Sequence, residues 1–177
     1  MPACKPFKIG IVGPESTGKS TLAGALSEHF KAPLVPEVAR MYLQNLKGTY
    51  VKEDLLEIAR LQQAADRLAS GPIPSVIVYD TTLLVIKIWS DYKFGDCHPW
   101  ILEQEKNEKY DALLLTDIDL PWKPDPLREH PDKRDELFSI YYRHLLKGTT
   151  PFRIISGKGQ VRTQRAVAWL GEQPGLR

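Results

Sequence analysis

Little in this sequence suits a membrane, an export route or a disulfide scaffold. No apolar run approaches the roughly 18 residues of a membrane-spanning helix, so no membrane partner is expected. The residues ahead of Phe7 leave no room for the apolar stretch and cleavage site of a secretory signal, and the expected location is the cytoplasm. Two cysteines, Cys4 and Cys97, make neither a disulfide framework nor a metal cluster. His29, His98, His130 and His144 show no metal-ligand spacing. An excess of one charge is missing too: 24 Lys and Arg face 22 Asp and Glu, a formal net of +2 with no dense basic block. That balance argues against nucleic acid as a partner, as does the lack of clustered stacking platforms. Repeats, low-complexity tracts and dividing linkers are absent, so residues 1–177 read as one domain able to bury a core.

What is present is the composition of a globular protein, 42% hydrophobic and 26% charged, arranged as an alternation. Apolar strands are expected at Phe7–Val12, Leu34–Val35, Ser75–Tyr79, Ala112–Leu115 and Phe152–Ile155. Helical stretches are expected at Ser20–Phe30, Val38–Leu46, Lys52–Ala69, Leu83–Tyr92, Pro99–Glu108, Glu136–Lys147 and Val161–Leu170. In the third of these, Leu55, Ile58, Ala59, Gln62 and Ala65 recur at helix spacing, and Gly71-Pro72 and Pro74 close it. The strands are nearly all apolar, and Ser75–Tyr79 is apolar on consecutive positions, as a strand covered on both faces is. The pattern is that of an α/β fold, a parallel sheet with helices on both faces.

The segment Gly13-Pro-Glu-Ser-Thr-Gly18-Lys19-Ser20-Thr21 fits Gly-x-x-x-x-Gly-Lys-Ser/Thr, between a strand and a helix. Gly13 and Gly18 permit a tight turn whose amides surround phosphate oxygens. A helix beginning near Lys19 adds unsatisfied N–H groups and the positive end of its dipole. Lys19 can reach the β and γ phosphates of a nucleotide, and the Ser20 hydroxyl can coordinate Mg²⁺. Glu15, Ser16, Thr17 and Thr21 belong to the same nucleotide-binding stretch, without a role that spacing assigns.

Asp80 ends the third strand, at the edge where open α/β sheets hold their sites. It can hold Mg²⁺ directly or through water, or cap the following helix. Glu37 and Arg40 follow the second strand, three residues apart on one helix face: a carboxylate to take a hydroxyl proton and a guanidinium to steady phosphate, or a plain ion pair. The proline-rich, mixed-charge stretch at about 124–135 is either a solvated loop or a lid that excludes water. Arg128 and Arg134 are its candidates to reach a transferring phosphoryl group. Trp89, Trp100 and Trp122 flank the expected cleft, where an aromatic can stack on a planar ring or wedge helix to sheet. Trp169, among Val167, Ala168 and Leu170, suits a core or an interface, which leaves a homo-oligomer open. Gly157 and Lys158, after the last strand, can set backbone beside an adenine or simply form a turn.

Further segments join the phosphate loop in carrying a resemblance: Val35-Pro-Glu-Val-Ala-Arg40, Tyr79-Asp-Thr, Lys87-Ile-Trp-Ser-Asp-Tyr92, Tyr110-Asp-Ala-Leu-Leu-Leu, and Pro121-Trp122 with Asp125, Leu127, Arg128 and Glu129. Together, from about residue 7 to 170, they resemble the ribosylnicotinamide kinase domain of the bacterial NadR family. The resemblance implies a P-loop NTPase fold with five parallel strands in the order 2-3-1-4-5. It implies ATP and Mg²⁺ on the donor side and ribosylnicotinamide as the small-molecule acceptor, phosphorylated on its 5′-hydroxyl to nicotinamide mononucleotide in NAD salvage. By position it implies Glu37 as the group that activates the hydroxyl, and Arg128 and Arg134 as lid residues. It implies Trp89 or Trp122 as a platform for the pyridine ring, with Tyr92 nearby, and Arg40 and Asp125 in the acceptor region. The family's adenylyltransferase and DNA-binding domains lie outside the likeness, and their activities are not expected of this chain.

Two other readings stand beside this one. The same loop and fold serve kinases of other nucleosides and small metabolites. A non-catalytic nucleotide switch or orphan ATPase is the second; a guanine-reading Asn-Lys-x-Asp is not found at Thr116-Asp-Ile-Asp119, which favours ATP over GTP.

Overall fold

Consecutive apolar residues force the central strands into the middle of the molecule, where helices shield both faces, while the edge strand Phe152–Ile155 leaves Arg153 and Ile154 exposed. The computed structural model describes residues 5–69 and 74–176, so Cys4 and the Gly71-Pro72 helix stop lie outside the described residues. Strands β1 (Phe7–Val12), β2 (Leu34–Val35), β3 (Val76–Asp80), β4 (Ala112–Thr116) and β5 (Phe152–Ile155) form one parallel sheet. Its order is β2-β3-β1-β4-β5, the order that the resemblance implies. The helices are α1 (Lys19–Phe30), α2 (Val38–Asn45), α3 (Lys52–Ala69), α4 (Leu83–Phe94), α5 (Pro99–Asn107), α6 (Arg134–Lys147) and α7 (Gln160–Gly171).

Strand alternation sorts the core. Ile9 and Ile11 of β1, Val76 and Val78 of β3 and Leu114 of β4 face α1 and α7, packing on Leu22, Leu26, Ala166 and Leu170. Leu113 and Leu115 point the other way, onto Leu84 and Ile88 of α4 and Leu137, Tyr141 and Leu145 of α6. Val35, Ile77 and Tyr79 gather Ala65 and Ala69 of α3. Each fully buried Leu or Ile side chain contributes about 1.5–3 kcal/mol. A third layer joins α3, α4 and α5 through Leu55, Ile58, Ile86 and Ile101, with the Cys97 thiol buried among them.

Most elements keep their expected bounds, and the differences are of one or two residues at their ends. β3 and β4 each run one residue further, to Asp80 and Thr116, because a ladder hydrogen bond does not require an apolar side chain. Helix α4 continues to Phe94 and stops at Gly95, whose φ of +79° gives a left-handed cap. Helix α6 begins at Arg134, with the acids Asp135 and Glu136 in its first turn. Arg134 is therefore a helix residue beside the 124–133 stretch. Since β1 lies between β3 and β4, the connections diverge around it and open a crevice at the carboxyl edge.

Behind that crevice the Glu108 carboxylate accepts the Leu83 N–H at 3.2 Å, at the start of α4. Burial pushes its carboxyl up from 4.5 to about 7. A raised acid keeps its proton in the folded chain while the unfolded chain releases it. This group therefore costs no stability below pH 4.5, and its cost grows as pH rises through about 7. Glu108→Gln keeps an acceptor for Leu83 and removes the charge. Urea titrations are expected to show the variant more stable than wild type at pH 8, with the gap closing toward pH 4.5; a gap independent of pH would contradict this.

Candidate functional site

After β1 the chain must turn over the sheet edge before α1 can begin. Gly13 makes that turn at φ +140°, where a Cβ would stand 2.5 Å from Thr116 Oγ1. The hydroxyl of Thr17 donates to the Pro14 carbonyl at 2.7 Å and lies 2.7 Å from Thr116 Oγ1, pinning the loop to the end of β4. From α7, the buried Arg162 guanidinium donates to the Thr17 carbonyl, to Gly157 O at 2.8 Å and to Asp117 O at 3.2 Å, and pairs with Asp119. The loop is thus stapled by two elements distant in sequence. Lys19, the first residue of α1, folds back so that Nζ donates to Gly13 O at 2.8 Å and Pro14 O at 2.7 Å. Burial pulls its ammonium below the usual lysine range, while the carboxylates of Glu37, Asp80 and Glu15 pull it upward.

Asp80 closes β3 beside the loop and is only 5% exposed. Burial raises its carboxyl above the usual range, and a hydrogen bond from Ser20 opposes that rise. Its Oδ1 is buried without a hydrogen-bond partner, as are the hydroxyls of Thr81 and Thr82. Thr81 stands at φ +90°, strained for a β-branched residue, in the short turn that carries the chain from Asp80 to α4.

Glu37 is the N-cap residue of α2, yet its side chain makes no cap hydrogen bond. The buried amide of Gln62 supplies that support instead. Its Oε1 accepts the Val38 N–H at 3.0 Å and its Nε2 donates to Pro36 O at 3.1 Å, so the backbone is clamped on both sides of Glu37.

These elements enclose a cavity of about 200 Å³. Glu15, Ser16, Gly18, Lys19, Ser20 and Thr21 form one wall; Glu37, Arg40, Trp89, Tyr92 and Arg128 line the rest, with Leu43, Val85, Ile88, Leu137 and Tyr141 as an apolar floor. Gly13, Thr17 and Asp80 stand beside the cavity and are not among the residues that line it. Asp125 meets the site indirectly, accepting Arg40 Nη1 at 3.0 Å; the Leu127 amide and Arg40 hold its carboxyl below the usual range. The structure does not bring Trp122 or Arg134 to the cavity wall. Arg134 donates to Leu120 O at 2.8 Å and lies 5.8 Å from the Trp122 ring centroid. Gly157 and Lys158 lie apart as well, at the end of β5 on the Arg162 side of the loop.

The 123–130 segment lies across the phosphate loop. Glu15 accepts the backbone N–H groups of Glu129 and His130, both at 3.1 Å, and Ser16 Oγ accepts that of Lys123 at 2.9 Å. Sequence reading did not single out Arg162 or Thr116, and it took Gln62 only for a core position of α3. The available signal was a polar residue on an apolar stripe: Gln62 among Leu55, Ile58 and Ala59, and Arg162 four and eight residues before Ala166 and Leu170.

Comparison with known proteins agrees with this architecture. The family model described as AAA domain matches residues 8–163. The trifunctional NAD biosynthesis/regulator protein NadR of Escherichia coli (strain K12) is 28% identical over 138 residues, which cover 70% of this chain and 32% of that protein. A crystal structure of NadR protein in complex with NAD and AMP-PNP superposes with a TM-score of 0.74 at 20% identity, covering 97% of this chain and 50% of the other. Thymidylate kinase from Ehrlichia chaffeensis gives a TM-score of 0.67 at 14% identity, over 94% of this chain and 99% of its own. The chain therefore spans a third to a half of the NadR proteins it matches, and the solved structures speak for the fold. With strand order, phosphate loop and matched span in agreement, the chain has the P-loop NTPase fold and belongs to the AAA domain family.

Proposed function

We propose that this chain is an ATP-dependent kinase whose acceptor is ribosylnicotinamide, phosphorylated on its 5′-hydroxyl to nicotinamide mononucleotide. The observation that carries the reading is the shared cavity: a phosphate loop on one wall, and a carboxylate, a guanidinium and an indole on the other. The likeness to NadR proteins, one of them solved in complex with NR, supports the choice of acceptor. The fold is shared with thymidylate kinase and deoxyadenosine kinase, which supports another nucleoside as the second reading.

On this reading the loop amides and Lys19 hold the donor phosphates. The ammonium leaves the Gly13 and Pro14 carbonyls for phosphate oxygens, an exchange of one set of acceptors for a charged one. Asp80 and Ser20 fit a magnesium site, since Asp80 Oδ1 is a buried carboxylate oxygen without a partner. Mg²⁺ takes one or two protein oxygens together with phosphate and water, and it neutralises charge on the phosphates when bound. Glu37 orients the acceptor hydroxyl in line with the γ-phosphate and takes its proton late, because the transition state is loose. Arg128 is the lid arginine placed to reach the transferring group, and Arg134 steadies the lid base through Leu120. Trp89 and Tyr92 bound the acceptor space, Arg40 and Asp125 tie it to the lid, and Gly157 and Lys158 flank the adenine side.

Three variants separate these roles. Lys19→Ala is expected to lower turnover at least ~100-fold with little change in the apoprotein's melting temperature; near-normal turnover in a steady-state assay would sink the kinase reading. Glu37→Gln should leave ATP affinity within about threefold and cut transfer by roughly 10²–10⁴. Asp80→Asn should need more Mg²⁺ and recover in part at high metal. Because burial raises the Asp80 carboxyl, its charge opposes folding above the ordinary aspartate range, so Asp80→Asn should also melt higher than wild type at pH 7 without nucleotide. A Glu37→Gln enzyme at wild-type rate, with an Asp80→Asn enzyme dead at every magnesium concentration, would move the base from Glu37 to Asp80.

A further inference from the structure

One hydrogen-bonded path joins the phosphate loop to the aromatic wall of the cavity. Trp89, which lines the cavity from α4, donates its indole N–H to the Tyr50 hydroxyl at 2.8 Å. Tyr50 stands just ahead of α3, its ring edge-on to Trp89 with centroids 5.0 Å apart. The Tyr50 hydroxyl donates in turn to the Glu129 carboxylate, whose other oxygen accepts Lys93 Nζ at 2.6 Å. The Lys93 ammonium also lies 3.8 Å from the centroid of the Tyr50 ring. The backbone N–H of Glu129 then donates to Glu15, inside the phosphate loop, at 3.1 Å.

The path has one direction. An indole nitrogen only donates, and a phenol has a single proton to give. Burial, reinforced by the Glu129 hydrogen bond, holds the Tyr50 phenol far above its ordinary range, so that proton stays and goes to the carboxylate. Turning the indole over would carry its N–H away from the Tyr50 hydroxyl, so this hydrogen bond holds the indole at one rotation about its side chain. At the other end, an anion entering the loop meets the Glu15 carboxylate, and like charge favours movement of Glu15 and of the Glu129 amide bonded to it.

We propose that Tyr50 is a positioning residue for the acceptor: it fixes the Trp89 indole as a flat wall for a planar heterocycle. Through Glu129 and Glu15 it also makes that wall respond to phosphate in the loop. The ligand class is a nucleoside with a flat base or pyridine ring, and the inference rests on reading the cavity as a joint donor and acceptor site. Donor and acceptor then strengthen each other's binding by the same factor.

The test uses Tyr50→Phe, which keeps the ring and removes only the hydroxyl, with circular dichroism to show that it folds. In the wild type, ribosylnicotinamide should bind about five- to tenfold tighter with Mg²⁺ and AMP-PNP present than without. In Tyr50→Phe that ratio should fall toward one, and KM for the acceptor should rise about tenfold while kcat stays within about threefold. Glu129→Ala, which removes the acceptor of the Tyr50 hydroxyl, should lose the coupling as well, and the double variant should be no worse than either single one, as for two members of one path. A second readout needs no acceptor: tryptophan emission should change on adding Mg²⁺ and AMP-PNP to wild type and to Trp169→Phe, but not to Trp89→Phe or Tyr50→Phe. A Tyr50→Phe protein that keeps the wild-type binding ratio overturns the proposal. If the wild type phosphorylates no nucleoside, the kinase reading fails by itself, and an emission change that survives Tyr50→Phe then overturns the path.

Discussion

Between Gly13 and Thr116 there is no room for a side chain, and the rest of the site is arranged around that contact. A Cβ at Gly13 would stand 2.5 Å from the Thr116 hydroxyl and 3.2 Å from its carbonyl oxygen. Only because β1 passes so close to the end of β4 can Thr17 reach Thr116, and only with Thr17 in place can the Arg162 guanidinium close on its carbonyl. Those contacts set the entry to α1, which puts Lys19 across the loop and Ser20 beside Asp80. The parallel sheet supplies the constraint: β3, β1 and β4 end at one edge, where β3 brings Asp80, β4 brings Thr116 and β1 leads into the phosphate loop.

Charge in the cavity is balanced before any ligand arrives. Glu15 and Glu37 on its wall, with Asp80 beside it, face Lys19, Arg40 and Arg128. A triphosphate adds negative charge to that set, and offsetting it falls to the loop amides, the dipole of α1 and a cation held at Asp80. The carboxylates answer different needs in the proposed reaction. Glu15 holds the 123–130 segment through backbone N–H groups, Asp80 is buried with an unpartnered oxygen, and Glu37 is presented by a backbone clamped by Gln62.

The fold was legible because burial on both faces writes itself into consecutive residues, as in Val76 to Tyr79 and Ala112 to Leu115, while one-sided helices carry a period. The phosphate loop was legible because its chemistry sits in one short segment. Parts of the site built by distant residues were not. The bond from Arg162 to Thr17 joins positions 145 apart in sequence, and nothing local to either residue announces the other. Gln62 fits a core stripe by spacing, and only the fold shows its amide spanning the turn that presents Glu37. Arg134 shows the converse: it lay in a mixed-charge stretch, but acids at Asp135 and Glu136 let α6 start there and turn its guanidinium to Leu120.

In the proposed reaction the cavity holds a phosphoryl donor and a nucleoside acceptor at once. Incubating the wild-type chain with Mg²⁺ and ATP against a panel of nucleosides, and weighing the products by mass spectrometry, tests it most directly. ADP is expected in step with one new phosphorylated nucleoside, nicotinamide mononucleotide when ribosylnicotinamide is supplied, with little ADP formed without an acceptor. A slow release of inorganic phosphate at the same rate with every nucleoside and with none would contradict it.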